Sequence, residues 1–382
     1  MNTALTDEQQ LFAATVKDLL ARHYNPGYRQ ALAASELGWS RQMWGTFAEV
    51  GLLALTIDED HGGLGAGPAA VAAVMTEIGR GLALEPLTDT VLVPAQLVAD
   101  TGSAAQLAQI LPALAAGTLL LAFAHLEPGG SWSCPAVSTK AEHDGDQYLV
   151  HGTKNVVLRG DCADRLIVSA VTPEDGDRLG LFLVDATADG LTREPYTTYD
   201  GLRGAQLTLT RTPAERLGAT DTDTDAAIRR AVIGGQLAVC AEAVGIMDQA
   251  LALTVEYLKT RKQFGVPLAS FQALAHRAAD LYVAVEMARG MCDYATAKFA
   301  DGDADGDADE ILASRLKVQI GRSARHIGQE AIQMHGGIGM TAEHAIGQYV
   351  RRLLAIEHTF GSTDEHLRLL AAGSRDQDLI EL

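Results

Sequence analysis

The chain has 382 residues, 47% of them hydrophobic but only 5% aromatic, with 38 glycines; this length supports two or three domains, each with ample core. A formal net charge of −19 argues against a nucleic-acid or anionic-membrane partner. Cys134, Cys162, Cys240 and Cys292 form no CxxC pair and show no metal-ligand spacing, so they read as reduced core residues and no metal site is expected.

The first third reads as helical. Thr6 and Gln9 have the spacing of a capping box, in which each side chain satisfies the other's free backbone N–H. Leu11, Phe12, Val16, Leu19 and Leu20 follow at helical intervals. Residues 39–53 predict a second amphipathic helix. The Gly-rich run His61 to Gly67 lacks the G-x-G-x-x-G register and no strand leads into it, so a turn into a helix over 69–80 is the plain reading.

The period changes near Thr118. Short segments at 119–124, 148–150, 155–158, 165–170, 180–184 and 205–209 alternate or run apolar, separated by Gly, Asp and Pro. They predict a compact antiparallel β-domain. From about Asp225 the chain is helical again, over 226–261, 271–300, 311–336, 342–356 and from 363. Asp301 to Asp309 is an acidic, Gly-rich connector that lacks a Glu at the twelfth position of a calcium loop. The predicted class is α+β, with an N-terminal helical domain (1–117), a middle antiparallel β-domain (118–218) and a C-terminal four-helix bundle (219–382). The N-terminus lacks the basic and apolar regions of a signal peptide, and runs such as 119–124 are too short to span a bilayer. A cytoplasmic protein with no membrane span is expected.

The densest motifs lie late in the chain. They are Arg261-Lys262-Gln263-Phe264-Gly265-Val266-Pro267-Leu268, then Phe271-Gln272, then Gln333-Met334-His335-Gly336-Gly337-Ile338-Gly339. These segments resemble the FAD-binding segments of the acyl-CoA dehydrogenase family. Glu127-Pro128-Gly129-Gly130-Ser131 is similar to that family's T-E-P-x-A-G-S loop, Tyr148 to Lys154 to its Y-x-L-N-G-x-K hairpin, and Gly201-Leu202-Arg203-Gly204 to its G-x-R-G segment. The helical, β, helical layout is also the family's. Within it, the resemblance is nearest to the small-subunit type of pimeloyl-CoA dehydrogenase, extending to Gly38-Trp39-Ser40 and to Phe360-Gly361-Ser362-Thr363-Asp364.

The resemblance implies α,β-dehydrogenation of an acyl-CoA thioester. A carboxylate removes the α-proton and the flavin takes the β-hydride, while the protein supplies orientation and electrostatics. It also implies an FAD site divided between subunits. For the half that holds pyrophosphate and adenine, it assigns Arg261, Phe264, Phe271, Gln272, Gln333, Gly336 and Gly337. Ser131 and Thr363 are further cofactor-binding candidates.

The half that holds the flavin ring departs from the pattern. Leu126 replaces the Thr before Glu-Pro, and Val156-Val157-Leu158-Arg159 replaces W-I-T-N. Both usual positions of the catalytic glutamate are glycine, Gly361 and Gly235, and a substrate-facing Arg of some members is Gln236. Glu242 and Glu357 are the fallback bases, although Glu242 lies two helical turns, roughly 10 Å, from Gly235. The expectation is a subunit of an α2β2 assembly, completing FAD for a homologous partner that carries the glutamate. A homotetrameric flavoenzyme with an unusual base and a scaffold that has lost FAD are the alternatives.

Overall fold

A computed structural model describes residues 5–132, 136–145, 147–301, 306–341 and 344–374. Cys134 and residues 302–305 of the acidic connector lie outside them. The helices are α1 (Asp7–His23), α2 (Pro26–Ala33), α3 (Arg41–Glu49), α4 (Pro68–Gly81), α5 (Val93–Thr101) and α6 (Ala104–Ala115), and then, beyond the strands, α7 (Thr224–Thr260), α8 (Gln272–Ala300), α9 (Gly306–His335), α10 (Ile346–His358) and α11 (Thr363–Ser374). The Thr6–Gln9 capping box forms as read. The helix expected over 39–53 is shorter: Ser40 caps α3 by accepting the Met43 N–H, and a separate 3₁₀ turn covers Leu52–Ala54.

The chain divides into two compact units, one of residues 1–30, 68–83 and 236–382, the other of 31–67 and 84–235. The N-terminal helical stretch is therefore shared between them. The reason lies at two glycines. A Cβ on Gly79 of α4 would lie 2.0 Å from the Glu242 carbonyl oxygen, and one on Gly245 of α7 would lie 1.9 Å from that of Thr76. Only hydrogen fits at either place, so α4 lies backbone to backbone against α7 and belongs with the later helices. In the same unit α9 packs on α8, α10 and α11. Helix α7 is long and apolar enough to cross a membrane by length and composition, but 67% of its apolar window is buried, as for a central core helix.

The other unit holds strands β1 (Leu121–Ala124), β2 (Lys140–Asp144), β3 (Gln147–Leu158), β4 (Arg165–Thr172), β5 (Arg178–Asp185), β6 (Leu191–Thr197) and β7 (Arg203–Arg216). Their order is β1-β4-β2-β3-β7-β5, with β6 on β7 and a further β4–β5 pairing that closes a ring. The sheet is mixed, which corrects the antiparallel expectation: β1 and β2 each run parallel to β4. The segments at 148–150 and 155–158 are one strand, β3. Strands β2 and β6 were not expected, because Lys-Ala-Glu-His-Asp and Leu-Thr-Arg-Glu-Pro-Tyr-Thr are largely exposed and carry no apolar alternation to read. Val150, Leu166, Val168, Phe182, Val184, Leu207 and Leu209 form the core.

Candidate active site and cofactor half-site

The turn joining α10 to α11 carries Gly361, a buried residue at φ +102°. Side chains crowd this turn. The Phe360 carbonyl accepts from Gln236 Nε2 at 3.1 Å and lies 3.0 Å from His366 Nε2. Glu357 accepts from the Thr363 N–H at 3.1 Å, the Thr363 hydroxyl at 2.9 Å and Arg325 Nη2 at 3.2 Å. Lys317 donates to the carbonyls of Ile356 at 2.8 Å and Thr359 at 2.7 Å.

The fallback carboxylates are held by these and similar contacts. Glu357 is 7% exposed and satisfies the first N–H of α11, that of Thr363, while Ser362 and Glu365 cap the helix reciprocally. Thr363 is 5% exposed, with its hydroxyl proton given to Glu357. Glu242 is 4% exposed and is gripped by Arg352, with Nε–Oε1 at 2.6 Å and Nη2–Oε2 at 2.8 Å. A two-pronged guanidinium pair fixes the position of both carboxylate oxygens, the geometry of an anchor. Gly235 is buried, and Gln236 spends its amide on Phe360.

In the other unit, Leu126 and Leu158 are half-buried and Val156 is 44% exposed; none of the three side chains has a hydrogen-bonding group. Arg159 is 1% exposed, donating to the Leu84 carbonyl at 2.8 Å with Asp89 at 3.8 Å. Ser131 is half-buried in the loop after β1. The structure joins two of the family-like segments: Lys154, fully buried, bonds Glu127 at 2.9 Å and the His125 carbonyl at 3.0 Å. Glu127 also accepts from the Ser138 and Thr139 N–H groups and hydroxyls. Those donors and the ammonium outweigh burial and hold its carboxyl down at about 2. Burial, helped by the Lys154 charge, holds the His125 imidazole at about 4. So Glu127 and Lys154 tie the loop after β1 to β3.

The segments around Arg261 are arranged differently. Strands β8 (Lys262–Gln263) and β9 (Val266–Pro267) form a hairpin whose tip, Phe264 and Gly265, has φ +52° and +84°, as a two-residue primed turn requires. Phe264 is 92% exposed and meets Phe271 edge-on at 6.1 Å. Arg261, Gln272 and Gln333 are exposed and enter no ion pair or side-chain hydrogen bond among the described residues. One turn before Arg261, Tyr257 stacks on His335 at 4.6 Å, and His335 meets His344 at 4.5 Å. Arg277 of α8 pairs with Glu330 of α9 at 2.5 Å. These two contacts bring the end of α7, the start of α8 and the end of α9 together. Gly336 and Gly337 follow on the surface, where an added Cβ would meet nothing. Of the residues expected to hold a cofactor, Arg261, Phe264, Phe271, Gln272, Gln333, Gly336 and Gly337 thus lie on neighbouring elements of one unit. Tyr257, His335, His344, Lys317 and His366 were not singled out from sequence. His335 stood inside a quoted motif; the others carry no local signature.

Three family models match consecutive stretches: the acyl-CoA dehydrogenase N-terminal domain over residues 6–118, the middle domain over 122–212 and the C-terminal domain over 226–374. The probable acyl-CoA dehydrogenase YngJ of Bacillus subtilis is 30% identical over 383 residues, covering 97% of this chain and 99% of that protein. The acyl-CoA dehydrogenase IpdE2 of Mycobacterium tuberculosis is 31% identical over 371 residues, covering 95% and 96%. Among solved structures, a variant of the Tcur3481-Tcur3483 steroid ACAD superposes with a TM-score of 0.84 at 31% identity, covering 97% of this chain and 99% of that one.

Proposed function

The chain belongs to the acyl-CoA dehydrogenase family, and we propose that within it this is a subunit that lends the pyrophosphate-and-adenine half of an FAD site to a homologous partner while providing no base of its own. The observation that carries this is the state of the carboxylates. Gly361 and Gly235 have none to offer, and Glu242 and Glu357 are both buried and bonded.

The outward-facing residues fit the charged half of FAD. Arg261 is an exposed guanidinium with no ion partner among the described residues, and charge-assisted bonds to pyrophosphate oxygens match its planar donors. Gln272 and Gln333 are amides with donors and acceptors uncommitted. The open space at Gly336 and Gly337 lets a nucleotide approach the backbone, and Phe264 offers a ring with little of this chain to pack on. When bound, the flavin supplies the oxidant for α,β-dehydrogenation of an acyl thioester. This chain's residues bind and orient it; the proton acceptor is the partner's. The two-component description of the Tcur3481-Tcur3483 steroid ACAD supports looking for such a partner and for a ring-bearing acyl-CoA as the first substrate to try.

Native mass spectrometry of the chain co-expressed with a glutamate-bearing homologue is the test. A closed assembly of two kinds of subunit, each FAD lying across one interface, should carry about two FAD per four chains. Four FAD per tetramer, or a homotetramer already saturated with FAD, would overturn this reading in favour of a self-sufficient flavoenzyme.

A further inference from the structure

The turn that bears Gly361 is held from three helices. Gln236 reaches it from α7, Lys317 from α9 and His366 from α11. A carbonyl oxygen only accepts, so the 3.0 Å contact with Phe360 puts the proton of His366 on Nε2. Its Nδ1, 3.0 Å from Ser314 Oγ, then accepts the serine hydroxyl. The imidazole is 3% exposed, so both its nitrogens and its ring position are fixed. Gly361 lies directly against it. A Cβ at this position would stand 2.7 Å from Nε2 and 3.2 Å from Cδ2 of the ring, and the backbone at φ +102° is strained for any residue with a Cβ.

We infer that His366 occupies the room a side chain at 361 needs, so the absence of a base is built into the packing of this turn and a single substitution cannot restore it. The buried imidazole is exchanged for the carboxylate: the ring that closes the space also donates to the turn's own carbonyl. Lys317, beneath the carbonyls of Ile356 and Thr359, and Glu357, bonded to Thr363, leave the turn no slack to move aside. His366 is a positioning residue here. The inference rests on reading 361 as the family's base position, but the packing it describes is tested without reference to activity.

The test is a set of variants in the full chain, purified in its native assembly: Gly361→Ala, Gly361→Glu, His366→Ala, His366→Gln and the two doubles with His366→Ala. Gly361→Ala in the unmodified background should lower Tm by about 5 °C. In the His366→Ala background the further loss should be at most half of that, since the clash is gone and only the φ strain remains. His366→Gln keeps a donor for Phe360 and should lie nearer the unmodified chain than His366→Ala. If Gly361→Glu fails to fold alone but folds with His366→Ala, the inference stands. Equal losses from Gly361→Ala in both backgrounds would overturn it, as would dehydrogenase turnover gained by Gly361→Glu alone. Turnover by the unmodified chain without a partner would instead remove the proposed function and leave the Tm result intact.

Discussion

The hairpin at Arg261 and the turn at Gly361 lie in the same compact unit and both fall in family-like segments, yet they are built in opposite ways. Around the hairpin the polar and aromatic groups face outward: Arg261, Gln272 and Gln333 are exposed and Phe264 is 92% exposed. Around the turn they face inward: Lys317, Glu357, Thr363 and His366 are all at or below 7% exposure, and each is hydrogen-bonded to the turn or to a neighbouring helix. Buried polar groups must be satisfied, and a satisfied network holds its own geometry. Exposed, unpaired ones add nothing to the fold and are free to meet a ligand. The first arrangement has the form of a binding surface and the second that of a structural joint. The Glu127–Lys154 pair in the other unit follows the second pattern, so a motif match alone does not tell which use a residue has.

The largest expected effect is on turnover. Loss of a general base typically costs about 10²- to 10⁴-fold, so the chain purified alone should fall at least that far below a glutamate-bearing family member. A dye-reduction assay with straight, ring-bearing and dicarboxylic acyl-CoAs would measure it. Robust turnover would break the comparison at its root and redirect attention to Glu242 or Glu357.

Next comes the inward-facing pair. Lys154→Ala should destabilise the chain by about 3–5 kcal/mol, because it removes a fully buried ammonium from its pair with the largely covered Glu127 carboxylate. Urea unfolding of the β-containing unit would report it. A loss below about 1 kcal/mol would mean that the Ser138 and Thr139 donors suffice for Glu127, and that Lys154 is not committed to structure.

The sequence exposed the outward-facing region more fully than the inward-facing one. Arg261, Phe264 and Gly265, like Gln333, Gly336 and Gly337, are contiguous runs whose composition is itself the signal. The Thr6–Gln9 capping box was legible for the same reason. The inward network joins Gln236 to Phe360 and Ser314 to His366 across 124 and 52 residues, and Lys154 to Glu127 across 27. No local period marks such pairs. The division into units was hidden in the same way, since Gly79 and Gly245 read as ordinary helix glycines until their helices are seen to meet. Strands β2 and β6 were missed because their solvent-facing residues dilute the pattern that a buried strand shows.

Acidification separates the buried groups by where they titrate. His125 stays neutral in the fold down to about 4 against 6.5 for a free imidazole. The unfolded chain therefore binds the extra proton first as pH falls. The stability His125 contributes is complete above about 6.5 and is lost as pH drops from there through about 4, by up to roughly 3 kcal/mol. Glu127 follows in a lower window, from about 4.5 down to about 2. Urea midpoints at pH 7 and pH 4.5 for the unmodified chain and for His125→Phe isolate the first window. His335, His344 and His366, also held below their usual value by burial, contribute equally to both proteins and cancel. An identical pH dependence in the two would show that His125 does not titrate there.

The smallest effect is the sharpest test of the outward-facing region. Arg261→Ala removes an exposed side chain with no ion partner among the described residues, so Tm should stay within about 2 °C of the unmodified chain. Retention of FAD by the assembled complex should nevertheless weaken by about one to two decades, since a charge-assisted hydrogen bond is worth roughly 1.5–3 kcal/mol. Arg203→Ala is the contrasting variant. Arg203 pairs with Asp161 at 2.8 Å, and its loss should lower stability more than it lowers the flavin-to-protein ratio. Measuring that ratio after desalting, alongside Tm, gives each variant two coordinates. Arg261→Ala should move along the flavin axis and Arg203→Ala along the stability axis. If both move together, or if Arg261→Ala keeps its flavin, the exposure of Arg261 and its lack of an ion partner among the described residues do not mark a cofactor contact.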